Sequence, residues 1–465
     1  MPEDEIIDFF ENPNFEISNL SYLAQNQTFP TDKAREAWDG VVLPFILISK
    51  QHASRKYFEA KNRYHNLVPL LTRSWPLLYL VLAEAHFWLS DYHETYDLLT
   101  KLSGLIGPDE KLSKIILLIN GIIKMEAAHD EEHHNKKGST FTCTFQTPFS
   151  CPLEPSDDKT IQQLFQRWEN LQNKESEALQ QFIRLACIAT NVIEDVFQFE
   201  GQTWPKLIRR GFYVNSIDGI SQISKKKKKE TVIQILKNTQ ESLQYISECL
   251  NDSNNFTTDF IKKIHATLLK NDNIDEEQDE GITVYRLICT GKFRKVACIV
   301  THQDETEVTQ YCHHSDIDSE MASYCEKARD MLENETINPF MKAAWLQWAF
   351  LRIHPFEDGN GRVSRIISSI PLTKLHLPPI VVTSEHKPEY FQALHRADRE
   401  YDLKPLSLFL CSSLVRAMAE IENLPSDESF GKGSGGARSR ARPGTSRKKT
   451  ENSGSSGSDS GEQTP

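Results

Sequence analysis

Twelve consecutive residues, "HPFEDGNGRVSR" (354–365), bring together one histidine, two carboxylates, two glycines flanking an asparagine, and two arginines. An imidazole, with an ordinary pKa of about 6.5, suits a general base at neutral pH. Pro355 must stop the helix that approaches through "PFMKAAWLQWAFLRIHP" (339–355), so His354 is expected at a helix end, facing a cleft. Gly359 and Gly361 permit backbone angles at which successive N–H groups converge on an anion. A helix starting there adds its positive end to the same spot. Arg362 and Arg365, three apart, share one face of that helix and carry forked donors that match phosphate oxygens. Asp358 stands beside the nest, where a bare carboxylate would repel a phosphate. A divalent cation between them removes the conflict, and Mg2+ takes one or two carboxylates together with phosphate oxygens. The expected chemistry is phosphoryl or nucleotidyl transfer on a polyphosphate–Mg2+ (or Mn2+) site, with His354 as the base.

The elements that must position these groups are mostly helical. "LYLVLAEAHFWLSDYHETYDLLTKL" (78–102) repeats apolar residues at three- and four-residue intervals and is broken at "SD" (90–91), which can cap a second helix. Small Ala83 and Ala85 allow close approach of the pair, a weak likeness to one tetratricopeptide-type helix pair without a fixed-period repeat. The pattern is helical from about 34 to 126, and a loop is read over 127–160. A long helix follows over about 161–200, with a break near 173–176. Further helices are read at 231–250, at 257–270 with a Thr257 or Thr258 cap, at 318–334 and at 339–355. "FRKVACIVT" (293–301) and "TEVTQYC" (306–312) are short and β-branched and read as one small hairpin. The domain reading is an acidic flexible arm at 1–30, a helical region at 31–130, a linker at 131–160, a main domain at 161–425 and a Ser/Gly/Arg-rich tail at 426–465 with too little apolar surface to order.

Composition sets bounds on function. The 465 residues are 39% hydrophobic and 25% charged, as in a globular protein, and the net charge is -12. Nucleic-acid binding draws on positive charge, so the acidic balance speaks against it despite "SKKKKKE" (224–230), read as a surface loop or helix start. The acidic start "MPEDEIIDFFENPNF" does not read as a secretory signal, and no apolar run reaches the roughly 20 residues of a membrane span. Nine scattered cysteines without a CxxC pair fit reduced thiols, so a cytoplasmic or nuclear setting is expected. "HDEEHH" (129–134) and "CHH" (312–314) lack paired ligand spacing and are read as solvated loops.

The dodecamer resembles the Fic family motif HPFx(D/E)GNGRxxR at every defined position. "GKFRKVACIV" (291–300) is similar to the family's G-x-Y/F-R segment and the edge of its flap, and the likeness covers about 180–425. The resemblance implies a mainly α Fic-type domain with a small β-hairpin flap, preceded by the helical repeat-like region. It implies transfer of AMP from ATP to a Ser, Thr or Tyr hydroxyl of a target protein, with release of pyrophosphate, and self-modification as well. His354 would take the hydroxyl proton and Asp358 would hold the metal. Gly359, Asn360 and Gly361 would cradle the phosphates, and Arg362 and Arg365 would neutralise them. Tyr390 would lie near the base, and a hairpin around Val296, Cys298 and Val300 would dock the target by strand addition. "TNVIED" (190–195) is similar to the family's inhibitory pattern (S/T)xxxE(G/N), with Asp195 where Gly or Asn is usual. Thr190 and Glu194 would lie four apart on one face of a helix over about 176–200, and the Glu194 carboxylate would compete with phosphate for Arg365. The same layout admits AMP removal, with Glu194 positioning water. A nucleotide-binding helical adaptor without catalysis is disfavoured by the intact His354 and Asp358, and a nucleotide-reversed, kinase-like reaction by the intact "GNGRVSR".

Overall fold

The computed structural model describes residues 2–11, 76–135, 145–146, 158–221, 227–279, 282–301 and 308–427. Among them the fold is mainly α. In chain order come α1 (Pro2–Glu11), α2 (Pro76–Phe87), α3 (Tyr92–Ile106) and α4 (Glu110–Asn135), then α5 (Asp158–Lys174) and α6 (Ala178–Val192). After β1 (Phe199–Glu200), α7 (Thr203–Arg210) and β2 (Gly219–Ile220) follow α8 (Lys229–Gln244), α9 (Ser247–Leu250) and α10 (Thr258–Leu268). The strands β3 (Ile274–Asp279), β4 (Ile282–Leu287), β5 (Ile299–Thr301) and β6 (Val308–Gln310) precede α11 (Ile317–Glu333), α12 (Pro339–Ile353) and α13 (Asn360–Ile367). The series closes with α14 (Ile370–Lys374), α15 (Lys387–Glu400) and α16 (Lys404–Glu422).

Two apolar cores form. One joins α1 to α2–α4 through Ile6, Leu82, Leu99, Leu112 and Ile119. The other runs from Leu164 to Ile421 and is centred on α12, whose Trp345, Trp348 and Phe350 are buried between α11, α13 and α16. Helix starts follow their capping residues: Asp91 accepts from the Glu94 N–H, Thr257 from Phe260, and Asn338 from Phe340 and Met341 just ahead of Pro339. The break in the long helix falls at 175–177, between α5 and α6.

Several expectations need correction. Residues 2–11, read as part of a loose arm, form α1 and bury Ile6; the rest of that arm lies outside the described residues, as do 34–75. The loop read from 127 begins later, because α4 continues to Asn135 through good helix formers such as Met125, Glu126, Ala127 and Ala128. The expected hairpin is present, with Val300 opposite Thr309, but two further antiparallel pairs, β1–β2 and β3–β4, accompany it. The sequence "IDEEQD" of β3 is acidic and offers no strand signal by itself; its pairing with "ITVYRL" makes it one. Of the lysine run, Lys229 opens α8 and donates to the Ile217 carbonyl (2.6 Å), while Lys227 reaches Asp272. Among the described residues no helix is long and apolar enough to cross a membrane. The tail from 428 onward lies outside the described residues.

Candidate active site

α12 delivers His354. Its last turn closes with the His354 N–H on the Phe350 carbonyl (3.0 Å), and His354 itself takes a left-handed conformation (φ 51°) before Pro355. A non-glycine residue there carries backbone strain, which the surroundings must hold. Arg294 does so: its N–H donates to the Pro355 carbonyl (2.9 Å) and its Nε to the His354 carbonyl (2.7 Å). The same guanidinium reaches the carbonyls of Val296 (2.6 Å) and Cys312, so it also pins the root of the β5–β6 hairpin. The half-buried His354 ring stacks on Tyr311 at 4.2 Å, with Nδ1 3.3 Å from the Leu351 carbonyl. Burial first, and then the Arg294 charge, pushes its pKa down to about 4, so the imidazole is neutral at physiological pH.

The loop after Pro355 closes on itself. The Asn360 amide donates to the Phe356 carbonyl (2.7 Å) and accepts from the Phe356 N–H (3.0 Å). Its side chain therefore shapes the turn that opens α13. Gly359 is left-handed (φ 78°), and a Cβ there would press on Leu269 and His265.

Both motif arginines are buried and engaged. Arg362, 2% exposed, donates from Nη1 to Asp272 (2.8 Å) and from Nη2 to Asp358 (2.9 Å), and its buried Nε has no partner. Burial works against charge on Asp272, but Arg362 and Lys227 outweigh it and hold the carboxyl below its usual range. Arg365, 3% exposed, donates from Nε to Thr190 Oγ1 (2.8 Å) and from Nη2 to the Thr190 carbonyl (3.2 Å) and to Glu194 Oε1 (2.5 Å). Glu194 does not lie on the α6 face as expected: α6 ends at Val192, and Glu194 follows its cap in a turn. From that turn the carboxylate bends over Gly361, where a Cβ would sit 2.1 Å from Oε1. Partial burial opposes its charge, yet Arg365, then Arg362 and Lys387, hold Glu194 below the usual carboxylate range. A carboxylate therefore already rests on the second arginine, over Gly361. Asp195, the residue that departs from Gly or Asn, is left-handed (φ 53°) and pairs with Lys387 on α15 (2.9 Å).

Tyr390 is buried, and burial raises its hydroxyl to about 12, with weaker opposing effects of the Arg365 and Glu194 charges. Val296 and Cys298 are half-buried at the root of the hairpin, where the Cys298 carbonyl accepts from Tyr311 (3.2 Å) and burial raises the thiol pKa. Val300 pairs with Thr309 inside the hairpin.

The described residues hold no cluster of three or more potential metal ligands. The donor set still fits Mg2+, because that ion is commonly held by one carboxylate plus substrate phosphates, and Asp358 is half exposed with Oδ2 on Arg362.

Sequence reasoning missed His265, Asp272 and Lys387, and it marked Arg294 only as the arginine of the G-x-Y/F-R segment, not as the group that holds His354. His265 alone carried a signal, a polar residue on the apolar stripe of Phe260, Ile261, Ile264 and Leu268.

The Fic/DOC family model matches residues 255–372. A Fido domain-containing protein of Dictyostelium discoideum is 36% identical over 101 residues, covering 21% of this chain and 71% of its own length. The chain belongs to the Fic/DOC (Fido) family. Protein adenylyltransferase Fic of Culex quinquefasciatus is 32% identical over 82 residues, 18% of this chain and 16% of that relative, so the likeness spans about one-sixth of its length. A solved Fic domain containing signaling protein from Bacteroides thetaiotaomicron is 25% identical with a TM-score of 0.44, over 56% of this chain and 95% of its own.

Proposed function

We propose that the chain is an autoinhibited protein adenylyltransferase that moves AMP from ATP to a hydroxyl side chain of a target protein. The observation that carries this reading is the seat of Glu194: its carboxylate rests on Arg365 and Gly361, where a nucleotide phosphate would lie.

In the reaction the target hydroxyl oxygen bonds to the α-phosphorus, the bond from that phosphorus to the bridging oxygen breaks, and pyrophosphate leaves. His354, neutral and held by Arg294, takes the hydroxyl proton. With Nδ1 turned to the Leu351 carbonyl, the lone pair is on Nε2. The Gly359–Gly361 backbone and the unpartnered Nε of Arg362 supply donors for phosphate oxygens. A bound Mg2+ would screen phosphate charge, with Asp358 as its protein ligand. Tyr390 is proposed to lie near the nucleotide base, where it is buried and feels the charges of Arg365 and Glu194. The β5–β6 hairpin docks the target backbone. The division into an N-terminal helical region, a linker and a catalytic region over 161–425 belongs to the same proposal, and two separate apolar cores support it.

A second reading uses the same groups. Glu194 is ionised at neutral pH and could orient water for removal of AMP from a modified target.

The test uses wild type, Glu194→Gly and His354→Ala with Mg2+ and ATP labelled at the α-phosphate. Strong labelling of protein with Glu194→Gly, about tenfold or more above wild type, and none with His354→Ala, supports the transferase. No labelling by any form, together with release of AMP from a premodified target by wild type, would replace it with the hydrolase.

A further inference from the structure

We infer that His265 is a positioning residue that couples the phosphate loop to the target-docking hairpin. The inference deepens the functional reading above and rests on it for its consequences in catalysis.

His265 lies in the last turn of α10, fully buried, with both ring nitrogens engaged. Nδ1 accepts from the Gly291 N–H at 2.8 Å. A backbone N–H can only donate, so Nδ1 carries no proton and the tautomer has its hydrogen on Nε2. Nε2–H then donates to the Asp358 carbonyl at 3.0 Å. The ring is also stacked on Phe356, 3.8 Å between centres and 6° from parallel.

The two bonds go to different loops. The Asp358 carbonyl belongs to the peptide that enters left-handed Gly359, so fixing it fixes the plane from which the Gly359–Gly361 N–H groups point. Gly291, left-handed at φ 71°, opens the turn that runs to Arg294 and into the hairpin. That turn lies close on α10, since a Cβ at Gly291 would meet Ala266 at 3.0 Å and the Lys262 carbonyl at 3.2 Å. One imidazole thereby sets the distance between the peptide that orients the phosphate nest and the turn that carries the docking strand. A residue that merely filled space would need neither bond.

The two bonds can be cut separately. In His265→Gln the side-chain amide nitrogen lies near the position of Nε2 and keeps the donor to Asp358, but nothing accepts from Gly291. In His265→Asn the amide oxygen lies near Nδ1 and keeps the acceptor, but no donor reaches Asp358. Both are made in the full chain with Glu194→Gly. The readouts are ATP affinity, AMP transfer to protein, and hydrogen exchange at the Gly291 amide and across 356–361. We expect His265→Gln to bind ATP within about threefold of its parent, to lose about tenfold or more in transfer, and to exchange Gly291 faster. We expect His265→Asn to lose about tenfold in ATP affinity, to loosen 356–361, and to keep Gly291 protected. Equal damage to both loops in both variants, or no change in either, would overturn the inference. If the Glu194→Gly parent itself fails to bind ATP, the functional reading falls, while the exchange pattern still decides the role of His265.

Discussion

At the scale of single residues, the chemistry of the proposed base is set by burial. His354 is pushed down to about 4, from an ordinary value of about 6.5, because a charged ring would be desolvated beside Arg294. A lowered histidine pKa means the neutral form dominates at every pH above about 5, and base function is lost only as pH falls through the lowered value. Transfer by Glu194→Gly should therefore show no limb with a midpoint between pH 6 and 7. A rate profile that halves near 6.5 would mean that the ring is solvated during reaction. The dodecamer could be read from the sequence because its reacting groups are contiguous: base, nest and arginines fall within twelve positions. The residues that tension it come from elsewhere. Arg294 is 60 residues before His354, and Asp272 is 90 before Arg362. Nothing local to Asp272 distinguishes it from any acidic residue after a helix, and only the folded chain shows that it holds a buried guanidinium.

At the scale of elements, the end of α6 decides how Glu194, the proposed brake, is held. The spacing of Thr190 and Glu194 was legible, but the helix stop was not, since "TNVIED" contains neither glycine nor proline to end it. The chain stops because Asp195 turns left-handed, a conformation that costs a non-glycine residue roughly 1 kcal/mol. Its side chain offsets this. One oxygen accepts from Gln198 (2.9 Å) and the other from Lys387, tying the turn to α15. The Lys387 pair is largely exposed and worth about 1 kcal/mol or less in stability. Its effect should instead be on placement of the neighbouring Glu194. Lys387→Met should raise ATP affinity about two- to fivefold, less than Glu194→Gly does, with the unfolding midpoint nearly unchanged. Unchanged ATP affinity, measured by titration calorimetry beside Glu194→Gly, would show that the turn holds its shape without α15.

At the scale of the whole chain, two cores meet at the segment that leads into the β5–β6 hairpin. The Leu287 N–H donates to the Leu89 carbonyl (3.2 Å), the Cys289 thiol lies 3.8 Å from Asp91, and Lys292 pairs with Glu94 (3.3 Å). Each contact joins the start of α3 to residues just before or after Gly291. Asp91 is the centre of this junction, because it also caps α3 and accepts from His86 (2.8 Å). Removing it by Asp91→Ala deletes a helix cap, worth about 1 kcal/mol, and leaves the buried His86 nitrogen without that partner, costing roughly 1–3 kcal/mol more. The exposed Lys292–Glu94 pair is worth little by comparison, so Glu94→Gln serves as a control with about 0.5 kcal/mol or less. Hydrogen exchange should accelerate in α2 and α3 for Asp91→Ala and, if the helical region supports the hairpin root, across 287–292 as well. Fast exchange confined to α2 and α3 would mean that the segment is held from the α10 side alone, through Gly291 and His265.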